Sequence, residues 1–435
     1  MTSSRLLLLL AASSLVACTA TEDATHDPTQ DITVQKSTAA RNTTPTVSDA
    51  DLGTFASDQA AFAVDLYHAV RKDPANTNEN VFLSPHSVST ALAMTYAGAN
   101  GATKDEMKKA LHFNLADDRL HTAFDYLDLA LESRGKNAKA KDDQPFRLRV
   151  SNSLWGQKGF GFEAPFLDAL AINYGAGLNG VDFAGNPVGA AKSINAWVEQ
   201  KTEERIKEIV PKDGLPSNTR LVLVNAIYFN AAWQSKFSKT STQDAPFTKL
   251  DGSTVNVATM HDNSMRPYLE GDGFQAAQLP YDGNEMSMLV IVPTKGTFAS
   301  FESTLTGQKV LGILAGMKER QVALAFPKVK LDGDYGLVSA FQSLGMKQAF
   351  LAGGADFSGM TTKEPLYISN ILHKTFLDLD ENGTEAAAVT AVVAGTTSAP
   401  PEPVAMNVDR PYLMAIVDNQ TKTLAFLGRI LEPKK

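Results

Sequence analysis

Apolar residues recur along this chain with two periods, one helical and one of two residues, and the switches between them mark out its elements. Phe55, Phe62, Leu66 and Val70 repeat at helical spacing and predict a first helix. Residues 80–94 (NVFLSPHSVSTALAM) read as a short strand running into a helix, with Pro85 in its first turn. A further helix is predicted over residues 103–113, where Thr103 and Glu106 stand at capping-box spacing. Another follows over 117–133, then a strand over 148–155. Residues 190–210 read as one long amphipathic helix burying Ile194, Trp197, Val198, Ile206 and Ile209. Residues 221–229 form a nearly continuous apolar run, as expected of a strand covered on both faces. Several strands are expected between Phe247 and Phe326, the clearest at 290–293, and a helix over 335–346. Residues 408–431 close the chain as a hairpin of apolar strands about Asp418-Asn419-Gln420-Thr421.

The pattern is most unusual between 373 and 410. Residues 374–380 read as a strand, with Thr375, Leu377 and Leu379 on one side and Lys374, Asp378 and Asp380 on the other. Asn382-Gly383 is a tight-turn signal, because both residue types tolerate positive φ. A second strand-like run covers 384–395. Its even positions (Thr384, Ala386, Ala388, Thr390, Val392 and Ala394) carry neither charge nor bulk and could enter a packed core. Glu385 falls on the other face, and Pro400-Pro401-Glu402-Pro403 stops any sheet. On local pattern alone, an ordinary hairpin followed by a proline-rich loop is as good a reading as any special one.

Composition narrows the options. With 435 residues, 43% hydrophobic and 20% charged, the chain can bury a large core. A net charge of -8 argues against nucleic acid or an anionic membrane surface as partner. The single cysteine, Cys18, leaves no disulfide, zinc cluster or thiol catalysis for the body. It ends an apolar run (residues 6–17, after Arg5) too short to span a bilayer and built like a signal peptide. Leu15-Val16-Ala17-Cys18 resembles the lipobox of bacterial lipoproteins, which implies acylation at Cys18. On that reading the product is exported and anchored on the periplasmic or cell-surface side; otherwise it is secreted. Residues 19–53, rich in Thr, Ser, Asp and Ala, read as a disordered tether without a function of its own.

No motif supports an enzyme. The seven histidines include no His-Glu-x-x-His, and no Gly-x-Ser-x-Gly elbow is present. Residues 185–193 (GNPVGAAKS) have Ala190-Ala191 where a phosphate loop needs its second glycine. No metal or cofactor is therefore expected. The organisation expected is 1–18 signal peptide, 19–53 tether and 54–435 one α+β domain.

Taken together, several stretches resemble the serpin family of protease inhibitors. They are residues 80–94, 150–155, 195–210, 225–233 and 371 to the end, including Glu381-x-Gly-Thr-Glu-Ala-Ala-Ala, Ser398-x-Pro-Pro-Glu and Arg410-Pro-Tyr-Leu-Met-Ala-Ile. Small departures occur at Asn230-Ala-Ala and Gln234, either side of Trp233. The resemblance implies a large central mixed sheet, smaller sheets, surrounding helices and an exposed reactive loop over about residues 381–410. It implies a hinge at Glu381, Gly383, Thr384, Ala386, Ala387 and Ala388. It also implies a "shutter" of Ser84, Ser87, Asn225 and His373, and a "breach" of Trp233, Lys328 and Glu381 where the loop begins to enter the sheet. The resemblance implies that Lys328 pairs with Glu381 and holds the hinge closed; the alternative is an exposed pair worth under about 1 kcal/mol.

Counting as the family counts puts the attacked bond at Thr397-Ser398, with Thr397 as bait and not catalyst. The segment after Gly383 would then join the sheet and carry the acylated protease with it. Between Gly383 and Asp409 there is no Lys, Arg or aromatic residue, which favours a protease with a small specificity pocket. The expected target is an elastase-like or subtilisin-like serine protease, with a papain-like cysteine protease left open. In family members activated by heparin the helix matching 117–133 is basic; here it carries Asp117, Asp118, Asp125, Asp128 and Glu132, so no heparin-type cofactor is expected. A monomer is expected. The competing reading is a non-inhibitory serpin acting as a binding or chaperone module.

Overall fold

The computed structural model of the protein describes residues 31–140, 142–383 and 402–433. Strands β1 (Thr33–Gln35), β2 (Val81–Leu83), β3 (Arg147–Gln157), β4 (Leu178–Val181) and β5 (Leu221–Asn230) fall in the first half of the chain. They are followed by β6 (Gln243–Thr248), β7 (Thr254–Gly271), β8 (Phe274–Pro280), β9 (Met286–Pro293), β10 (Lys318–Pro327) and β11 (Val329–Gly336). The last four are β12 (Ile368–Leu379), β13 (Val404–Asn407), β14 (Tyr412–Asp418) and β15 (Leu424–Ile430). Among the helices, α1 (Asp49–Arg71), α2 (Pro85–Tyr96), α3 (Gly101–Ala110) and α4 (Asp117–Glu132) precede β3. The others are α5 (Ala164–Tyr174), α6 (Pro187–Lys201), α7 (Phe298–Ser303), α8 (Gly307–Gly316) and α9 (Val338–Ser343).

Six strands form the sheet that positions the site, in the order β1-β4-β3-β5-β12-β11. β5 is buried along its whole length, so a run with no polar face suits it to the centre. Its neighbour β12 runs parallel to it, in register from Asn370↔Val222 to Phe376↔Tyr228 after an irregularity between Ile368 and Asn370. The remaining strands, expected as smaller sheets, join into one path, β13-β10-β7-β8-β9-β14-β15-β2, with β6 on β7. The length of β7 makes this continuous: it pairs β6 along its first part, then β10, then β8.

Alternation along β5 and β12 divides the core in two. Leu223, Ile227, Ile371 and Leu377 join the main cluster behind the sheet, with α1, α2 and α4. Val222, Val224, Ala226 and Leu372 face forward and are covered by Ile194 and Val198 of α6 and by Ile206, Ile209 and Val210 after it.

Four expectations need correction. The helix read over 190–210 stops at Lys201. The Thr202 hydroxyl donates to the Val198 carbonyl and accepts from the Ile206 amide, and Glu203 and Glu204 take positive φ. The later apolar residues stay buried because Asn195 captures the Ile209 and Val210 amides, which holds the return loop against the helix. Helix α3 starts at Gly101, so no capping box forms. Thr103 and Glu106 instead accept from the amides of Asp356 and of Lys347 and Gln348. The helix read over 335–346 shrinks to α9, because Tyr335 and Gly336 complete β11. Finally, the tether read over 19–53 does not extend through residues 31–53. β1 pairs with β4, and α1 begins at Asp49 with Ser48 as its N-cap.

Candidate functional site

Asn225 and His373 are register neighbours across the β5–β12 contact and share the rear face of the sheet. Behind them, β2 turns directly into α2, with Ser84 as N-cap and Pro85 in the first turn. The Ser84 amide donates to His373 Nε2 at 3.0 Å, and its hydroxyl to the Ala425 carbonyl at 2.7 Å. The Ser87 hydroxyl donates to Asn152 Oδ1 at 2.6 Å. Asn225 Nδ2 donates to the same oxygen at 3.0 Å, and to the Ser87 carbonyl at 3.4 Å. The four shutter residues therefore meet in one buried network. Asn152 on β3 is its fifth member, missed because its side chain falls in a strand whose residues otherwise read as ordinary alternation.

Because Nε2 accepts from an amide, the His373 ring must be neutral. Burial pushes its pKa down to about 3, and that of neighbouring His86 down to about 4. Asn225 Oδ1, Ser89 Oγ and both His86 ring nitrogens are buried without a hydrogen-bond partner among the described residues.

At the upper end of the sheet the ladder stops at Phe376↔Tyr228, although both strands run on. A cleft of about 180 Å³ opens there, lined by Tyr228, Asn230, Trp233, Phe376, Leu379 and Gly383 among others. The chain turns over its mouth. Gly383 bridges back to Asp380, with φ +65 at Gly383. A Cβ at Gly383 would lie 2.1 Å from the Trp233 amide nitrogen, so only glycine fits. Trp233 stacks on Tyr281 with centroids 4.6 Å apart and donates from Nε1 to the Asp380 carbonyl at 3.1 Å. Its amide donates to the Asn382 carbonyl at 3.2 Å, and the Phe237 amide to the Glu381 carbonyl at 3.0 Å.

Lys328 and Glu381 do pair, and with Glu381 only 5% exposed the pair is not the exposed alternative. Lys328 Nζ donates to Oε2 at 2.9 Å, and the Thr242 hydroxyl to Oε1 at 2.7 Å. Burial pushes this carboxyl up, but the hydrogen bonds from Lys328 and Thr242 outweigh it and hold the group below its ordinary value. Tyr281, Phe237 and Thr242 carry no local signal of their role; only the packing reveals it. Thr384, Ala386, Ala387, Ala388, Thr397, Ser398 and Cys18 lie outside the described residues.

A buried polar network behind the β5–β12 pair, a cleft where that pair parts and a turn held over the cleft thus lie along one seam of the sheet. A family model for serpins (serine protease inhibitors) matches residues 57–433. An uncharacterized serpin-like protein of Thermococcus kodakarensis is 42% identical over 86% of this chain and 84% of its own length. The leukocyte elastase inhibitor of Equus caballus is 38% identical over 86% of this chain and 97% of its own. The native structure of the thermophilic serpin tengpin superposes with a TM-score of 0.76 at 29% identity, covering 93% of this chain and 98% of that one. The chain belongs to the serpin family. It shares the single-domain α+β serpin fold, and as a member of a family of protease inhibitors it is not an enzyme.

The neutral His373 ring generates a pH prediction. Its ordinary value is 6.5 and its folded value about 3, so the unfolded chain binds a proton that the native chain refuses. Native stability should therefore fall as pH drops below 6.5 and level off near 3. His373→Gln should unfold at lower temperature at pH 7 yet show a flatter decline between pH 6.5 and 4, read by thermal unfolding at each pH. A decline parallel to that of the parent chain would contradict the assignment.

Proposed function

We propose that the chain is a suicide-substrate inhibitor of serine proteases with a small specificity pocket, elastase-like or subtilisin-like. One observation carries this reading: the parallel pair β5–β12 parts above Tyr228 and Phe376, directly below Gly383, where the bait segment begins. A strand inserted there, antiparallel to both neighbours, would replace one parallel contact with two antiparallel ones. A protease attacks Thr397-Ser398 and forms an acyl-enzyme with Thr397. Residues 383–397 then extend the sheet from the Gly383 turn and carry the protease about 50 Å at 3.3 Å per residue. Deacylation fails because the oxyanion geometry is pulled apart. The outcome is a race between insertion and hydrolysis, and the small uncharged residues at even positions from Thr384 favour insertion.

The target class is supported by the absence of Lys, Arg or aromatic residues between Gly383 and Asp409, and by relatives named as leukocyte elastase inhibitors. The alternative is a non-inhibitory serpin acting as a binding or chaperone module, which would yield no denaturant-stable complex with a protease. The lipobox supports an exported product anchored through acylated Cys18.

Two outcomes follow. Incubated with pancreatic elastase or subtilisin, the parent chain should yield a denaturant-stable covalent complex and a released C-terminal peptide. Thr384→Arg, which places a charge where the run first enters the sheet, should shift the products to cleaved inhibitor and active protease, by mass spectrometry and residual protease activity. An undiminished complex from Thr384→Arg would refute the insertion argument. Separately, a Gram-negative bacterial host expressing the full chain should incorporate labelled fatty acid into it, and Cys18→Ser should abolish the label. Label retained in Cys18→Ser would exclude acylation at that residue.

A further inference from the structure

The six-stranded sheet has two unlike ends. At one, Leu379 leads into the Gly383 turn above the parted strands. At the other, β5 and β12 begin at Leu221 and Ile368, and β3 and β4 finish at Gln157 and Val181. The described chain starts at this second end. Asp31 shares a depression with Lys158, Asp182, Asn186 and Gly189, and β1 follows against β4. Twelve residues, 19–30, separate Asp31 from Cys18. At about 3.3 Å per residue they reach at most about 40 Å. A bilayer that holds an acylated Cys18 therefore lies within that distance of the Leu221 end.

A cleft of about 670 Å³ opens at the same end, between the start of α6 and the loop that leads into β5. Val188, Ala191, Lys192 and Asn195 recur at helical spacing and form one wall. Pro211, Leu215 and Pro216 line the other. Asn195 closes the back, where its side chain accepts from the Ile209 and Val210 amides. Val188 is 54% exposed, and Pro211 and Pro216 are exposed beside it. Lys192 and Lys212 stand on the rim with Glu208 and Asp213, all four exposed. Open apolar side chains among charges of both signs suit a zwitterionic surface. The apolar groups enter the interface, the ammonium groups meet phosphodiesters, and the carboxylates meet the lipid's own ammonium. A net charge of -8 disfavours an anionic surface.

We propose that the base of α6, with the loop over residues 208–217, is a docking surface for the zwitterionic phospholipid bilayer that holds the acyl anchor. The proposal rests on the reading of Cys18 as acylated. Weak contacts suffice, because the anchor turns docking into an intramolecular event at high effective concentration. A chain docked in this way presents its Gly383 end away from the lipid. Loop insertion then sets docking and capture against each other. β12 is 12 residues long, so residues 383–397 entering beside it would bring Thr397 to the Leu221 end. The trapped protease would arrive where the bilayer lies, and the body would lift off on its tether.

The test uses the acylated full chain in vesicles of phosphatidylethanolamine and phosphatidylcholine that carry nitroxide on some head groups. Cys18 is the single cysteine and bears the lipid, so Val188→Cys offers one free thiol for a fluorophore. Met265→Cys is the control, at a position 62% exposed on β7, across β10 from β13. The nitroxide should quench the label at 188 severalfold more than the label at 265. Adding Lys192→Glu and Lys212→Glu should bring the two to the same level. Subtilisin should relieve quenching at 188 as the covalent complex forms, and should leave it in place when Thr384→Arg is added. Equal quenching at 188 and 265 in the acylated chain, or a trapped complex whose 188 label stays quenched, would overturn the inference. A chain that takes up no fatty acid at Cys18 fails before any vesicle is made, which overturns anchor and docking together. A chain that traps no subtilisin yet has its 188 label quenched would support the docking and count against the inhibitory reading.

Discussion

Asn225 and His373 meet across a parallel contact at the centre of the six-stranded sheet, and much of the structure depends on that contact staying closed. Beneath it lies a buried hydrogen-bonded network that demands a neutral imidazole. Above it the strands part, and Glu381, gripped by Lys328 and Thr242, holds the turn over the gap. A purely apolar seam would pack better in one arrangement and have no means of re-pairing in a second. Polar partners of this kind can re-pair their hydrogen bonds in two strand arrangements, as the proposed insertion requires.

Forces that hold the sheet shut come from different parts of the chain. On the front face, α6 and its return loop seal the second core cluster over β5, through Asn195 and the buried Ile206, Ile209 and Val210. At the breach, Trp233 clamps the turn through two hydrogen bonds and the close approach of Gly383. At the far edge, β1 pairs with β4, and Arg41 bonds Asp125 on α4.

The sequence made the main elements legible where one physical signal dominated. The unbroken apolar run of β5 announced a central strand, and Ser84-Pro85 announced the start of α2. The shutter and breach residues were named through resemblance, and the geometry brings each described one of them into its group. What was not legible depended on long-range pairing. Thr103 and Glu106 have the spacing of a local cap, yet tertiary amides take both side chains. Ile206 and Ile209 keep helical spacing, although Thr202 and two positive-φ glutamates end the helix before them. Residues 31–48 have a composition that suggests disorder, and a few backbone bonds with one buried ion pair order them nonetheless. Composition cannot reveal a partner that lies 84 residues away.

The central claim is that the native chain is folded short of its most stable arrangement. The most direct measurement is the thermal unfolding midpoint before and after a single cut in the loop between Gly383 and Glu402, made by a protease that the chain does not trap. The account predicts a large upward shift, accompanied by an added β-strand signal in amide infrared spectra. An unchanged or lowered midpoint, with no new strand, would contradict it.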